Sequence, residues 1–214
     1  MGNPFVFHGI RSHARPKECA HTVELLSKLG IVPTVFVSEQ QKADYLPLHP
    51  DVRIGAAGCN DNTQAILHAA KEAAGDRQEI HVVIWDDNQQ YIKLAGVNAT
   101  ADLWRRFETH AWNELVRTGA SGWSAFATAN TYGVQNHVLH PGTSGLKLLY
   151  GVVFGVRLCA NYNAWHCKHG GICDDVERSL RLYRHGGGNI QFPQLRVTKK
   201  KAASTLNISD TFCD

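Results

Sequence analysis

Two carboxylates and an amide, Asp86-Asp87-Asn88, follow directly on the run Ile80-His81-Val82-Val83-Ile84-Trp85. The run reads as a buried strand, so the acids stand at its carboxyl end. In open α/β sheets that edge is where ligands bind. Adjacent carboxylates repel each other unless a proton or a cation intervenes. A hard divalent ion with phosphate oxygens on its far side meets that need. The chemistry indicated is a metal-assisted site for a phosphorylated ligand. A simple acidic turn or helix cap is the other reading of the same residues.

Two further segments carry candidate chemistry. Arg11-Ser12-His13-Ala14-Arg15-Pro16 follows a first strand, Phe5-Val6-Phe7-His8-Gly9-Ile10. Its amides and guanidinium groups suit diphosphate oxygens, against the plainer reading of an exposed basic loop. Asp174-Asp175-Val176-Glu177-Arg178-Ser179-Leu180 opens a helix after a Gly-containing loop. Acids there complement the helix dipole, or one of them takes a proton from an attacking hydroxyl.

The elements that must position these residues are legible as periodicities. Pro16 suits the first turn of a helix that stops at Gly30. Thr34–Ser38 and Asp51–Gly55 read as strands, with a short polar helix over Glu39–Tyr45 between them. Asn60-Asp61-Asn62-Thr63 is placed to cap a helix over Gln64–Ala74. The alternation of strands and helices implies βαβ units and a mostly parallel sheet. In the second half, Ala101–Thr118 reads as a long helix with Trp104, Phe107 and Trp112 inward. Ser124–Ala127 reads as a strand, and Leu146–Leu158 as a strand pair or one long strand. Asp174–His185 reads as a helix with Val176, Leu180 and Tyr183 inward, ahead of a final hairpin or strand at Ile190–Val197.

Composition bounds the answer. The chain has 214 residues, 43% hydrophobic and 19% charged, which indicates a folded domain rather than a disordered chain. No apolar run approaches the ~20 residues of a membrane-spanning helix, and the first residues lack the pattern of a secretion signal. Six scattered cysteines then suggest reduced thiols in a cytoplasmic setting. The net charge of +3 is mild, although many cations come late, including Lys199-Lys200-Lys201. That run is a solvated tail or a contact for a polyanion such as DNA.

The Arg11–Pro16 loop, the strand Thr34-Val35-Phe36-Val37 with Tyr45 downstream, the Asp86-Asp87-Asn88 stop and the Asp174–Leu180 helix together resemble a nucleotide-sugar glycosyltransferase of the GT-A fold. The subgroup they resemble best is the phage and kinetoplastid glycosyltransferases associated with TET/JBP oxygenases. The resemblance covers Phe5 to about Phe192. It implies a single α/β, Rossmann-like GT-A domain whose mostly parallel central sheet is flanked by helices. Residues 1–100 would form the donor half, 101–198 the acceptor half, and 199–214 a basic tail. It also implies transfer of a sugar, glucose by expectation, from a UDP-sugar to 5-hydroxymethyl-pyrimidine in DNA, with Mn²⁺ or Mg²⁺ and with inversion.

Carried over by that resemblance, Asp87 is the direct metal ligand, and Asp86 contacts ribose or sugar. Arg11, Ser12 and Arg15 line the nucleotide pocket, with Asn60 and Asn62 facing base or diphosphate. Asp175 or Asp174 is the base. His185 or His169 completes the metal shell. The chain departs from the family pattern in its adjacent, unspaced acidic pair and in Asp174-Asp175 where the group favours Glu-Asp.

Other readings stand beside this one. His166, Cys167, His169 and Cys173 are soft ligands within one loop, yet their spacing matches no standard zinc module. Trp123, Tyr132, Tyr162 and Trp165 fall in expected loops, where aromatics can stack an unpaired base. The same fold with a protein or glycan acceptor, a nucleotidyltransferase, and a nucleotide- or DNA-binding module without catalysis are the competing functions.

Overall fold

The computed structural model describes residues 4–49, 51–54, 62–125, 143–158, 162–165, 167 and 174–199. The first half alternates as its periodicities require: β1 (Phe5–Arg11), α1 (Pro16–Ser27), β2 (Thr34–Val37), a 3₁₀ turn (Glu39–Gln41) leading into α2 (Lys42–Tyr45), β3 (Val52–Ile54), α3 (Thr63–Ala74) and β4 (Ile80–Asp86). A strand pair follows, β5 (Gln89–Leu94) and β6 (Val97–Asn98), which sequence reasoning did not anticipate. The second half runs α4 (Ala101–Thr118), β7 (Gly122–Ala125), β8 (Thr143–Gly145), β9 (Val153–Leu158), a 3₁₀ turn (Tyr162–Trp165), α5 (Asp174–Gly186), β10 (Asn189–Phe192) and β11 (Leu195–Lys199).

The expected α/β class is what the chain adopts. Eight strands form a mixed, mostly parallel sheet in the order β3-β2-β1-β4-β9-β7-β10-β8. β3, β2, β1 and β4 are parallel in a Rossmann-like half. β9 lies antiparallel between β4 and β7, which joins the two halves of the chain in one sheet. A smaller sheet, β11-β5-β6, sits apart. Both segments of the expected final hairpin or strand are strands, but they do not pair with each other: β10 pairs with β7 and β8, whereas β11 pairs with β5.

Side-chain alternation along β4 divides the core. Val83 and Trp85 enter the cluster packed by α1 and α4, with Trp104, Phe107, Trp112 and Trp123. Val82 and Ile84 enter the cluster packed by α3 and α5, with Ile66, Phe154 and Leu182. Each large side chain buried this way contributes about 1.5–3 kcal/mol, so the aromatic face under α4 is a main source of stability. Gly155 makes room for it, since a Cβ there would stand 2.2 Å from the Trp123 indole nitrogen.

Three expectations need correction. Residues 146–152 carry no strand; only Val153–Leu158 pairs. On α5 the apolar stripe faces out, with Val176, Leu180 and Tyr183 at 48%, 50% and 47% exposure. Arg178, Ser179 and Leu182 face in instead. The reason is polar. The segment before β9 has backbone amides to satisfy, and the Leu149 amide donates to Ser179 Oγ at 2.7 Å. Finally, Trp123 lies inside β7 and Trp165 is buried in the second core cluster, so neither offers a face to an unpaired base. Tyr132 lies outside the described residues.

Candidate functional site

Strand pairing places the first two site residues. β1 and β4 run parallel with Arg11 directly beside Asp86 at their carboxyl ends. Both follow the face of Val82 and Ile84, towards α3 and α5. The Arg11 guanidinium donates to the Gly151 carbonyl at 3.0 Å and lies 5.6 Å from the centre of the Phe154 ring. Asp87, one residue on, turns to the α1 side and is wholly buried, while the Asp86 side chain keeps 15% exposure.

The surroundings of Asp87 explain its burial. Ser12 Oγ donates to Asp87 Oδ2 at 2.5 Å, and the His13 amide reaches the same oxygen at 3.3 Å. Arg15 stands 2.7 Å from Oδ1. The Tyr45 hydroxyl lies 2.6 Å from Ser12 Oγ and accepts from the Arg15 amide at 2.9 Å. Thr22 Oγ1 donates to the Asp87 carbonyl at 2.7 Å and accepts from the Gln89 amide at 3.0 Å. Asp87 is thus the anchor that shapes the Ser12–Arg15 loop. Its place in the reading shifts from metal ligand to loop support, because no side of it faces the open edge.

Asp86 is the carboxylate at the open edge. Lys199 of β11 contacts its Oδ2, and Arg15 stands 3.7 Å from its Oδ1. Burial works against charge on Asp86, but Lys199, Arg11 and Arg15 outweigh it and hold the carboxyl below the usual range. Burial and the Asp86 charge push Asp87 the other way, up to about 6, against the pull of Arg15 and Ser12. Burial also raises Tyr45 to about 12, so its phenol stays protonated.

The second-half helix meets this edge at Gly151. Asp175 Oδ2 accepts from the Gly151 amide at 3.0 Å, and its Oδ1 accepts from Arg178 at 2.9 Å. Arg178 is buried with its guanidinium 4.6 Å from the centre of the Phe154 ring. One residue therefore joins both regions: Gly151 accepts from Arg11 through its carbonyl and donates to Asp175 through its amide. Asp174 is the first residue of α5.

Arg11, Ser12, Arg15, Asp86, Asp87 and Asp175 are thus brought together. Others are not. Asn60 lies outside the described residues, as do His166, His169 and Cys173 of the soft-ligand loop. Asn62 is buried and donates to the Phe36 carbonyl at 2.9 Å, making no side-chain cap on α3. That bond holds the end of β2. His185 is exposed in the last turn of α5. Ten residues separate it from Asp175, which on a helix is about 15 Å. Its neighbour Gly186 accepts from Ser121 at the amino end of β7, the opposite edge of the sheet. His185 is not placed to share an ion with Asp86 or Asp87.

Sequence reasoning missed Lys199 as a site residue, treating it as the start of a tail. It also missed Gly151, Arg178 and Thr22. Arg178 alone left a local signal, three residues after Asp175 on one helix. A divalent ion would find hard oxygen chemistry at Asp86, which suits Mg²⁺ or Mn²⁺. Among the described residues no helix is long and apolar enough to cross a membrane. No family model matches the chain, and no curated protein matches it.

Proposed function

We propose that the chain is a glycosyltransferase of the GT-A type that moves a sugar from a UDP-sugar to a hydroxyl acceptor. The acceptor that the resemblance implies is 5-hydroxymethyl-pyrimidine in DNA, and the expected sugar is glucose. One observation carries this reading: Arg11 and Asp86 stand side by side at the carboxyl edge, and Asp175 of α5 reaches the same Gly151 that Arg11 holds. A donor-binding edge and a candidate base from the other half of the chain thus meet at one residue.

The chemistry needs negative charge accommodated on a departing diphosphate. Arg11 and Arg15 supply fixed positive charge for it. A divalent ion held by Asp86 would supply further neutralisation of the diphosphate when bound. Asp175 has lone pairs beyond the two already engaged. It can accept the acceptor hydroxyl's proton as that oxygen bonds to the sugar and the bond to the diphosphate breaks. Asp87 fixes the loop that carries Arg15, which keeps these groups oriented.

The test is direct. Incubation with UDP-glucose, Mn²⁺ and hydroxymethylcytosine DNA is expected to yield a nucleoside heavier by one hexose. Absence of both adduct and UDP release, across UDP-hexoses, sinks the reading. A second reading, a nucleotide-binding module without transfer, is favoured by the engagement of both Asp175 oxygens. Under that reading the donor binds, and no UDP is released above the rate of the protein-free control.

A further inference from the structure

β11 ends at the acidic stop, and the way it gets there is irregular. Its pairing with β5 runs in step from Leu195 opposite Leu94 to Thr198 opposite Tyr91. The register then shifts, and Lys199 stands opposite Gln89. An unbroken ladder would have placed it opposite Gln90. Bulges of this kind re-aim a side chain, often beside a functional site. Here the shift moves Lys199 one residue nearer to Asp86, and Gln89 itself donates through Nε2 to the Asp86 carbonyl at 3.0 Å. The Lys199 ammonium then contacts Asp86 Oδ2.

Three cations converge on Asp86. Arg11, Arg15 and Lys199 all act on Asp86, and Arg15 also pairs with Asp87. Lys199 stays accessible, with 39% of its side chain exposed. An ammonium has three N–H donors, so contact with Asp86 leaves donors for an incoming anion. A lysine fixed by a carboxylate at a phosphate-facing edge is a preoriented point charge.

We infer that Lys199 is a diphosphate-binding residue of the donor site, delivered by the C-terminal strand and held on Asp86. The chain thereby supplies its own cation at the carboxylate where a divalent ion would also sit. This rests on the donor-site reading above and adds to it a residue and a prediction: nucleoside diphosphate binding does not require a divalent ion.

The test is calorimetric titration of the full chain with UDP, first in EDTA and then in Mn²⁺. Wild type is expected to bind UDP in EDTA. Lys199→Met weakens that binding by about tenfold or more, Lys199→Arg by less than about threefold, the scale of one charge-assisted contact. In Mn²⁺ the Lys199→Met deficit shrinks, since the ion takes the vacated carboxylate. Lys199→Gln serves as a second neutral variant should Lys199→Met fail to fold, which thermal melting shows. Equal UDP affinity of wild type and the neutral variants in EDTA overturns the inference. So does wild-type binding that appears only with Mn²⁺, which leaves the donor reading intact. No UDP binding in either buffer removes the donor reading and the inference together.

Discussion

The acidic stop and the α5 entrance both pair carboxylates with guanidinium groups, but they are assembled in opposite ways. At the entrance, Asp175 and Arg178 lie three residues apart on one helix, and a single turn brings them to 2.9 Å. At the stop, Asp86 and Asp87 draw their cations from a loop after β1 and from the far end of β11. The first pairing needs only a helix. The second needs the whole sheet, the bulge in β11 and the burial of Ser12, Thr22 and Tyr45. The edge that depends on long-range structure is therefore where a folding defect and a binding defect coincide. The entrance is where function can be altered with the fold intact.

That contrast is broken most sharply by removing one carboxylate from each region. Asp175→Asn is expected to lower sugar transfer by about 10²–10⁴-fold, the range for loss of a positioned acid or base. UDP affinity in the same variant should stay within about threefold of wild type. Asp86→Asn, in contrast, should weaken UDP binding and transfer together, because it releases Lys199. Steady-state kinetics beside calorimetry reads both. Full transfer by Asp175→Asn would leave that carboxylate with a positioning role only.

The stop should also titrate differently from the rest of the fold. An unfolded Asp has a pKa near ~3.9, and Asp87 is pushed up to about 6 by burial and by Asp86. Between those values the folded state holds the extra proton, so this group's contribution falls as pH rises from about 4 to 6. Above that window ionised Asp87 is a cost to the fold. Asp86 has the opposite sign: held low by its cations, it adds stability above about pH 4 that is lost as pH falls through its folded value. The effect of Asp87→Asn on the melting temperature is therefore expected to be more favourable at pH 7.5 than at pH 4, because only at the higher pH does the wild type carry the cost of ionised Asp87. A variant equally destabilised at both values contradicts the sign.

How much of this was legible follows the same division. Local patterns gave the class, the bounds of α4 and the strand ending in the two acids, because apolar periodicity and burial agree there. That two acids close a strand at the carboxyl edge of the sheet was readable from Asp86, Asp87 and the apolar run before them. Which of the two faces the edge was not, since that depends on the alternation reaching past β4 and on what packs under it. Asp87 fits the metal role by residue type, but Ser12, Thr22 and Tyr45 close over it. Lys199 could not be found because its partner strand β5 begins 110 residues earlier. His185 was attractive only by type, and the length of α5 places it at the other edge.

Gly151 offers a way to uncouple the two regions at smaller cost. A methyl group there would stand 2.8 Å from Asp175 Oδ1 and 2.9 Å from Arg11 Nη2. Both are ends of movable side chains, so Gly151→Ala should cost only about 1 kcal/mol of stability, the low end for overpacking. The site should suffer more than the fold, since displacement of reacting groups by about 1 Å can cost 10²-fold in rate. A transfer rate down at least about tenfold, with melting shifted by only a few degrees, would place the junction at this residue. An unchanged rate would show that Arg11 and Asp175 act independently.

The smallest effect tests the orientation of α5, on which the position of Asp175 depends. Read by apolar periodicity, Leu180 belongs to the core, and a lysine there would cost several kcal/mol as a buried unpaired charge. In the structure Leu180 is half exposed, one turn after Val176, while Ser179 and Arg178 point inward. A lysine at an exposed helix position changes stability by at most about 0.5 kcal/mol. Leu180→Lys should therefore melt with wild type, and UDP binding should be unaltered. A large loss would mean that α5 is rotated by about a third of a turn. Asp175 would then leave Gly151, and the meeting of the two regions would be lost with it.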